Sequence, residues 1–264
     1  MWRVCYGKLK KFQFPWGVTM TKIIDLSVKE KIYESKKARI SILNDFKLEV
    51  ADGEKIAIAG ESGVGKSSLL NIIGLIDRNY NGEYTLMGSL TNNLHTNELA
   101  QWRNQKIGFI LQESALINSL TIEDNIKLPL LYAGSGKKEF KPEDFESVVD
   151  AIGIKPILKK KPLECSGGEK ARAVFARGII MKPQIILADE PTASLDMENR
   201  ERIVTLLFKM NKEFNTTIIT VTHDLEIANR HDRVIHLEKA DKIDKRRGKF
   251  LNVGYFPKCA EYKP

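Results

Sequence analysis

One segment of the chain has the residue types and the spacing needed to hold a phosphate chain. It matches the pattern GxxxxGK[ST] in full and reads Gly60-Glu61-Ser62-Gly63-Val64-Gly65-Lys66-Ser67. A triphosphate must be wrapped by several backbone N–H groups at once, and glycines keep side chains out of that path. Lys66 can reach the β- and γ-phosphates, and the Ser67 hydroxyl can ligate Mg²⁺. The segment therefore predicts a nucleotide site that uses Mg²⁺.

The segments on either side of this loop have the local structure that a phosphate site requires. Lys55–Ala59 is a compact β-rich run, and Ser67–Ile76 has apolar residues at helical spacing. The helix predicted at Ser67–Ile76 directs its unpaired N–H groups and the positive end of its dipole toward the loop. Ser68, in the first turn, is therefore a further candidate nucleotide contact.

A second candidate lies where two carboxylates end an apolar run. Ile185–Ala188 is followed by Asp189 and Glu190, and isolated charges resist burial, which favours a working role for both. Asp189 suits the surroundings of Mg²⁺ in a phosphate-loop protein. Glu190 points to the other side of the strand, where it can polarise an attacking water.

Further motifs, and their order, resemble those of the ATP-binding cassette (ABC) ATPases over roughly residues 21–238. Cys165-Ser166-Gly167-Gly168-Glu169, with Gly168 21 residues before Asp189, is similar to that family's signature motif, usually LSGGQ. Cys165 replaces the usual Leu, and Glu169 replaces the usual Gln. The other matches are the Q-loop glutamine Gln112, the D-loop with its lead-in at Pro191–Asp196, the switch histidine His223 and the adenine-stacking aromatic Tyr33.

The resemblance implies an ATPase that works as a homodimer and uses ATP and Mg²⁺. In this family two copies face head to tail, and each ATP lies between the phosphate loop of one copy and the signature of the other. By the same resemblance Ser166–Glu169 and Asp196 contact nucleotide, and Gln112 also contacts the metal. Glu190, Gln112 and His223 would take part in hydrolysis.

Short apolar runs alternate with helical patterns, which predicts a mostly parallel sheet covered on both faces. Further strands are predicted at Ile23–Val28, Ile42–Val50, Gly82–Met87, Ile107–Leu111, Thr217–Thr222 and Val234–Leu237, and further helices at Ile122–Tyr132, Pro142–Ile152, Glu169–Met181 and Glu198–Phe214. The expected fold class is α/β: a P-loop NTPase (RecA-like) core with a small antiparallel β part and an inserted α-helical subdomain. The expected divisions are an N-terminal extension, either disordered or an over-read start codon (1–19), the ATPase domain (20–240), its helical subdomain (about 113–182) and a basic tail (241–264).

Composition and charge exclude several other classes of protein. Of the 264 residues, 42% are hydrophobic and 29% are charged, as in an ordinary globular protein. The net charge of +8 belongs to the two ends, because residues 21–238 carry 30 basic and 31 acidic side chains, so no nucleic-acid partner is expected. Three scattered cysteines argue against a disulfide framework and a zinc site. No apolar stretch reaches the about 20 residues of a membrane-spanning helix.

The functional prediction is the ATP-binding subunit of an ABC transporter, cytoplasmic and held at the inner face of the membrane by a separate permease. Residues 116–126 and 128–134 resemble the subclass that serves macrolide, lipoprotein and antimicrobial-peptide exporters. The expected cargo is therefore a bacteriocin-like peptide, a lipoprotein or a drug. The alternative is a regulatory ABC ATPase that acts through a membrane partner, as in cell-division control. A nucleic-acid ATPase is a third reading, and the single phosphate loop counts against it.

Overall fold

The computed structural model describes residues 11–13, 19–35, 38–111, 116–133, 141–193, 195–237 and 254–256. They belong to two units, one with residues up to 95 and from 221 onward, the other with residues 96–220. Among the described helices, none is long and apolar enough to cross a membrane.

The strands are β1 (Lys11–Gln13), β2 (Thr19–Ser35), β3 (Ala38–Ala51), β4 (Lys55–Gly60), β5 (Asn81–Leu86), β6 (Ser89–Leu90), β7 (Ile107–Leu111), β8 (Ile185–Asp189), β9 (Thr217–Val221), β10 (Arg233–Leu237) and β11 (Gly254–Phe256). The helices are α1 (Lys66–Ile73), α2 (Thr96–Gln105), α3 (Ile122–Leu131), α4 (Pro142–Ile152), α5 (Gly167–Ile179), α6 (Met197–Phe214) and α7 (Leu225–Ala228). Four strands come first, and from β4 onward strands and helices alternate except at β5–β6, α3–α5 and β10–β11.

An antiparallel sheet forms much of the first unit. β2 pairs with β1, β3 and β5, and β5 pairs with β6. Ile24, Leu26 and Val28 of β2 are buried whereas the residues between them are only half-buried, which is the period-2 pattern of a sheet with one covered face. The predicted strands Ile23–Val28 and Ile42–Val50 are therefore parts of a longer hairpin.

The same unit contains the parallel pair that leads into the phosphate loop. β4 pairs in parallel with β10, and β10 pairs antiparallel with β11. The helix predicted at Ser67–Ile76 ends earlier, at Ile73. Gly74 closes it by donating its N–H to the carbonyl of Leu70 (2.8 Å), and Leu75 leaves the helical conformation with φ 59°.

The second unit combines a three-stranded sheet with helices. β8 lies between β7 and β9, and β7 runs parallel to it with Leu111 opposite Asp189. No strand occurs among the described residues of 113–182, the segment predicted to be helical. A buried apolar cluster includes Ile122 and Ile126 of α3, Phe145 of α4 and Phe175 of α5. This core fixes the N-terminus of α5, where the signature candidate begins.

Agreement with the predicted elements is closest where the apolar pattern is clear. Ile107–Leu111 and Pro142–Ile152 coincide with β7 and α4. Helix α2 was not predicted, because it is largely polar and buries only Leu99. Within the predicted extension 1–19, Lys11–Gln13 pairs with β2, and the nature of that extension stays a prediction.

Candidate functional site

The phosphate-loop candidate connects the end of β4 to the start of α1. Gly65, the residue before α1, has φ 105°, and no side chain caps the helix. The first-turn N–H groups are therefore not covered by a capping side chain, an arrangement that suits anion binding. Glycine is required at Gly60 (φ 153°), because a Cβ there would lie 2.4 Å from the carbonyl oxygen of Leu237.

Lys66 is the first residue of α1, and its ammonium group lies against the loop backbone. Its Nζ donates hydrogen bonds to the carbonyl oxygens of Gly60 (2.7 Å) and Glu61 (2.8 Å). Val64 is buried and anchors the loop. The exposed members of the loop are Glu61, Ser62, Gly63 and Ser67. The loop therefore presents backbone groups, a cation and a hydroxyl, which are the groups that a phosphate site needs.

The same unit holds His223 beside the strand that leads into the loop. The N–H of Thr222 donates a hydrogen bond to the carbonyl oxygen of Ile58 (3.1 Å), two residues before Gly60. On the other side, Asp224 caps α7 and its Oδ1 accepts the N–H groups of residues 226 and 227 at 2.9 and 3.2 Å. His223 is exposed between these two anchored residues. Its backbone is thus fixed next to the phosphate-loop strand.

In the other unit, β8 ends in the two predicted carboxylates. Residues 185–188 have no exposed surface, while Asp189 and Glu190 are half-buried. Glu190 has φ 45°, a left-handed conformation that costs a non-glycine residue about 1–2 kcal/mol. The N–H of Ala193 donates to the carbonyl of Glu190 (3.1 Å) and closes the turn. Backbone strain of this kind clusters at active sites, ligand clamps and switch regions.

The signature candidate forms the N-terminus of α5. The Oγ of Ser166 accepts the N–H of Glu169 (3.2 Å), and Oε2 of Glu169 accepts the N–H of Ser166 (2.7 Å). That backbone hydrogen bond is the main cause of a lowered pKa of Glu169, and Nζ of Lys160 lies 3.6 Å from its Oε1. Ser166 and Gly167 are exposed. The change from Gln to Glu therefore keeps the helix cap and adds a negative charge.

Cys165, the other departure from the usual signature, is a packing residue. It is 8% exposed, belongs to the apolar cluster of the second unit, and directs its Sγ to the carbonyl oxygen of Lys161 (3.4 Å). Burial raises the pKa of its thiol, so the thiol stays protonated and unreactive at neutral pH. It fills the apolar position that Leu usually occupies.

Sequence reasoning missed a set of contacts that joins the D-loop candidate to the signature helix. Asp196 caps α6: its Oδ1 accepts the N–H of Asn199 (2.9 Å), and its Oδ2 accepts the Nδ2 of Asn199 (2.7 Å). These bonds lower the pKa of Asp196. The Oδ1 of Asn199 accepts Nη1 of Arg172 (2.8 Å), and a Cβ on Gly168 would lie 2.4 to 2.6 Å from the Asn199 side chain. The Asp-x-x-Asn spacing predicts the cap but not the contacts with α5.

The roles of three predicted site residues, Gln112, Tyr33 and Ser68, stay predictions. Gln112 lies outside the described residues, so its role stays a prediction. Tyr33 lies in β2 opposite Ile40 and is 61% exposed, which leaves its ring accessible for stacking. Its role, and that of the half-buried Ser68, likewise stay predictions.

The residue types suit a magnesium ion that is held mainly by phosphates. Mg²⁺ prefers oxygen ligands, keeps several waters, and needs only one or two protein ligands beside substrate phosphates. Ser67 offers an exposed hydroxyl beside Lys66, and Asp189 offers a carboxylate at the end of β8. Within the described parts of the chain, no group of three or more His, Cys, Asp or Glu side chains could hold a metal. A phosphate-assisted site does not need such a group.

One protein family model covers the phosphate loop, the signature candidate and the two carboxylates together. A family model described as ABC transporter matches residues 43–193, which include the phosphate loop, the signature candidate and both carboxylates. The chain belongs to the ABC transporter family. The predicted family and ATPase activity are thereby confirmed, and the chain is an ATP-binding cassette of this family. The domain boundaries and the roles of single residues stay predictions.

Individual relatives agree with this assignment. The lipoprotein-releasing system ATP-binding protein LolD of Rickettsia bellii is 41% identical over 217 residues, which are 82% of this chain and 96% of LolD. The macrolide export ATP-binding/permease protein MacB of Shewanella sp. is 34% identical over 89% of this chain, but this covers only 36% of MacB. The solved bacterial cassette MJ0796, a dimer in a post-hydrolysis state with ADP and Pi, is 34% identical with a TM-score of 0.75, covering 88% of this chain and 100% of that one. The likeness to MJ0796 confirms the predicted P-loop NTPase fold class.

Proposed function

We propose that this chain is the ATP-hydrolysing subunit of an exporter and that it works as a head-to-tail homodimer with a separate transmembrane permease. The observation that carries the proposal is the presence of two helix N-termini suited to phosphate. α1 begins behind the phosphate loop without a side-chain cap, and α5 begins with exposed Ser166 and Gly167. The two belong to different units. The dimeric state of MJ0796 supports a shared nucleotide between two copies.

In this proposal the phosphate loop binds the triphosphate. Backbone N–H groups of residues 60–67 wrap the phosphates, and Lys66 exchanges its loop carbonyl partners for phosphate oxygens. Tyr33 stacks on adenine. The signature residues Ser166–Glu169 and Asp196 of the second copy cover the nucleotide from the other side, so that ATP joins the two copies.

Hydrolysis then depends on the carboxylates at the end of β8. Glu190 takes the proton of the attacking water, and its left-handed backbone fixes the direction of its side chain. His223, anchored beside β4, contacts the terminal phosphate. Ser67, Asp189 and Gln112 would hold Mg²⁺, which would neutralise charge on the phosphates. Loss of the terminal phosphate separates the copies.

The cargo class follows from the relatives. LolD belongs to a lipoprotein-releasing system and MacB is a macrolide exporter by name. We therefore propose export of a lipoprotein, a drug or a bacteriocin-like peptide, with this subunit bound to its permease at the cytoplasmic face of the membrane.

The decisive experiment uses Glu190→Gln, which removes the proposed base and keeps the side-chain shape. ATP should still bind, hydrolysis should slow by about 10²–10⁴-fold, and light scattering should detect a dimer when ATP is added. The variant Lys66→Ala/Glu190→Gln is the matched control and should remain a monomer, because the phosphate loop has lost its cation. A monomeric Glu190→Gln protein at saturating ATP would contradict the shared site, and near-normal turnover would remove Glu190 from its role.

A second experiment tests the partner. Tagged protein purified from gently solubilised membranes should bring down one transmembrane polypeptide, and Glu190→Gln should retain it in the presence of ATP. Deletion of the chain should then remove a secreted lipoprotein, drug or peptide from the medium. Recovery of the protein without any membrane polypeptide would contradict the exporter proposal.

A further inference from the structure

Asn199 is the residue at which the two proposed dimer-facing segments of the second unit meet. Its side-chain amide donates to Asp196 (2.7 Å) at the end of the D-loop and accepts from Arg172 (2.8 Å) of the signature helix α5. Both polar atoms of one amide are thus used, one toward each segment. The bond between Arg172 and Asn199 is partly buried and so partly shielded from water, whereas the bond to Asp196 is exposed.

The amide also lies directly on the backbone of α5. A Cβ built on Gly168 would be 2.4 Å from Cγ, 2.5 Å from Oδ1 and 2.6 Å from Nδ2 of Asn199. Any side chain at position 168 would therefore displace Asn199. Gly168 permits this approach, and the close contact places the fourth signature residue against Asn199 of α6.

The Arg172 side chain bonds to Asn199 even though its position leaves another of its donors, Nε, buried without a partner. Its Nε is buried and has no hydrogen-bond partner, and an unsatisfied buried donor is destabilising. Its Nη1 nevertheless makes the bond to Asn199. The side chain is therefore directed at this amide, one turn into α5 from the signature.

Capping of α6 does not account for the two side-chain hydrogen bonds of Asn199. The capping bond is already made by the backbone N–H of Asn199 to Oδ1 of Asp196 (2.9 Å), and any residue except proline could supply that N–H at position 199. The side-chain amide instead fixes the second carboxylate oxygen of Asp196 and ties it to α5.

We infer that Asn199 is a positioning residue that holds the D-loop carboxylate of Asp196 and the signature helix in one fixed arrangement, through its bonds to Asp196 and Arg172 and its contact with Gly168. The inference rests on the proposed function, in which both segments face the nucleotide of the second copy. Asn199 acts through its neighbours and need not touch the nucleotide. Its loss should weaken the joining of two copies and leave ATP binding by one copy intact.

The test introduces Asn199→Ala and Asn199→Asp into the Glu190→Gln protein. Alanine removes both side-chain bonds. Aspartate keeps the shape and an oxygen for Arg172 but sets a carboxylate against Asp196, so it also serves if the alanine variant does not fold. The matched control is Asn211→Ala, which removes another amide of α6, the one that donates to the carbonyl of Thr216 (2.9 Å).

Sedimentation should find the ATP-bound dimer weaker by about tenfold in both Asn199 variants, the expected effect of losing hydrogen bonds to charged groups. Calorimetry under monomeric conditions should find ATP affinity unchanged, and Asn211→Ala should match the parent in both measurements. Equal dimer affinity in parent and Asn199 variants would overturn the inference. Weakened ATP binding by the monomer, in parallel with the dimer, would do so too.

Amide hydrogen exchange on the monomer separates this inference from the function it rests on. In Asn199→Ala, exchange should rise in 166–172 as well as in 190–199, whereas a mere capping residue would affect only the start of α6. If the Glu190→Gln parent does not dimerise, the proposed function is wrong, and the exchange pattern still decides whether Asn199 positions both segments. Unchanged exchange in 166–172 would overturn the inference.

Discussion

Ser166 and Glu169 hold each other's backbone amides at the start of the signature helix, at 3.2 and 2.7 Å. This reciprocal cap is available to either Glu or Gln at the second position. With Glu169 it also places a carboxylate of lowered pKa beside the surface that would meet the partner's ATP. Lys160, with its Nζ 3.6 Å away, offsets part of this charge. The presence of Glu instead of Gln at position 169 therefore changes the charge of the signature and leaves its helix cap unchanged.

Replacing Glu169 with Gln should tighten the ATP-dependent dimer. The amide oxygen can accept the same N–H of Ser166, while the repulsion between a carboxylate and the terminal phosphate is removed, an effect worth about 1 kcal/mol near 4 Å in water. Sedimentation of Glu169→Gln in the Glu190→Gln background should give a dimer constant about fivefold tighter. Glu169→Ala is the control, because it removes charge and cap together. A weaker dimer in Glu169→Gln would mean that the carboxylate itself is needed.

The same carboxylate gives a pH dependence of defined sign. The pKa of Glu169 is lowered in the folded protein from its ordinary value of 4.5. Its ionised form therefore stabilises the fold above about pH 4.5, and that contribution is lost as the pH falls through the folded-state pKa. Urea unfolding of wild type and Glu169→Gln should differ most near pH 7, with the difference shrinking on acidification. A difference independent of pH would contradict this cause.

The parts of the site that the sequence predicted are those with short-range signals. The phosphate loop, its strand and its helix occupy one continuous stretch, 55–73, and the capping pair Ser166 and Glu169 is three residues apart. Each can be inferred from local spacing because the interacting groups are near neighbours in the chain. Helix α2 was missed for the converse reason, since its polar sequence buries only Leu99 and has little periodic signal.

Contacts between distant segments could not be inferred in the same way. Asn199 meets Arg172 across 27 residues, and its approach to Gly168 depends on how α5 packs on α6. The left-handed backbone of Glu190 likewise has no signal in its own residue type, because glutamate adopts that conformation only when its surroundings impose it. These features are set by tertiary packing.

Substitution of Gly60 should destabilise the fold more than substitution of Gly63, although both lie in the phosphate loop. At Gly60 a Cβ would lie 2.4 Å from the carbonyl oxygen of Leu237, whereas at Gly63 nothing lies within 4 Å. Gly63→Ala, with φ 76°, should lose about 1–2 kcal/mol of unfolding free energy from backbone strain. Gly60→Ala should lose about 2–5 kcal/mol, since strain and overpacking add. Equal losses of unfolding free energy in urea would show that the backbone moves enough to separate a Cβ at position 60 from the carbonyl oxygen of Leu237.

Loss of one member of the buried pair Arg233 and Glu54 should destabilise the strands that lead into the phosphate loop. Nε of Arg233 donates to Oε1 of Glu54 (2.8 Å), and the two side chains are 8% and 6% exposed. Burial is the main cause of the raised pKa of Glu54, so the carboxylate depends on Arg233 for its charge. Glu54→Gln should lower the unfolding free energy by about 3–5 kcal/mol, because Arg233 keeps a buried charge without its counter-ion, and Glu54→Leu/Arg233→Met should recover much of it. Urea unfolding measures these changes. The control is Glu213→Gln, which breaks the exposed pair with Lys209 (3.9 Å) and should change the unfolding free energy by less than about 0.5 kcal/mol. A similarly small change in Glu54→Gln would mean that water reaches the buried pair.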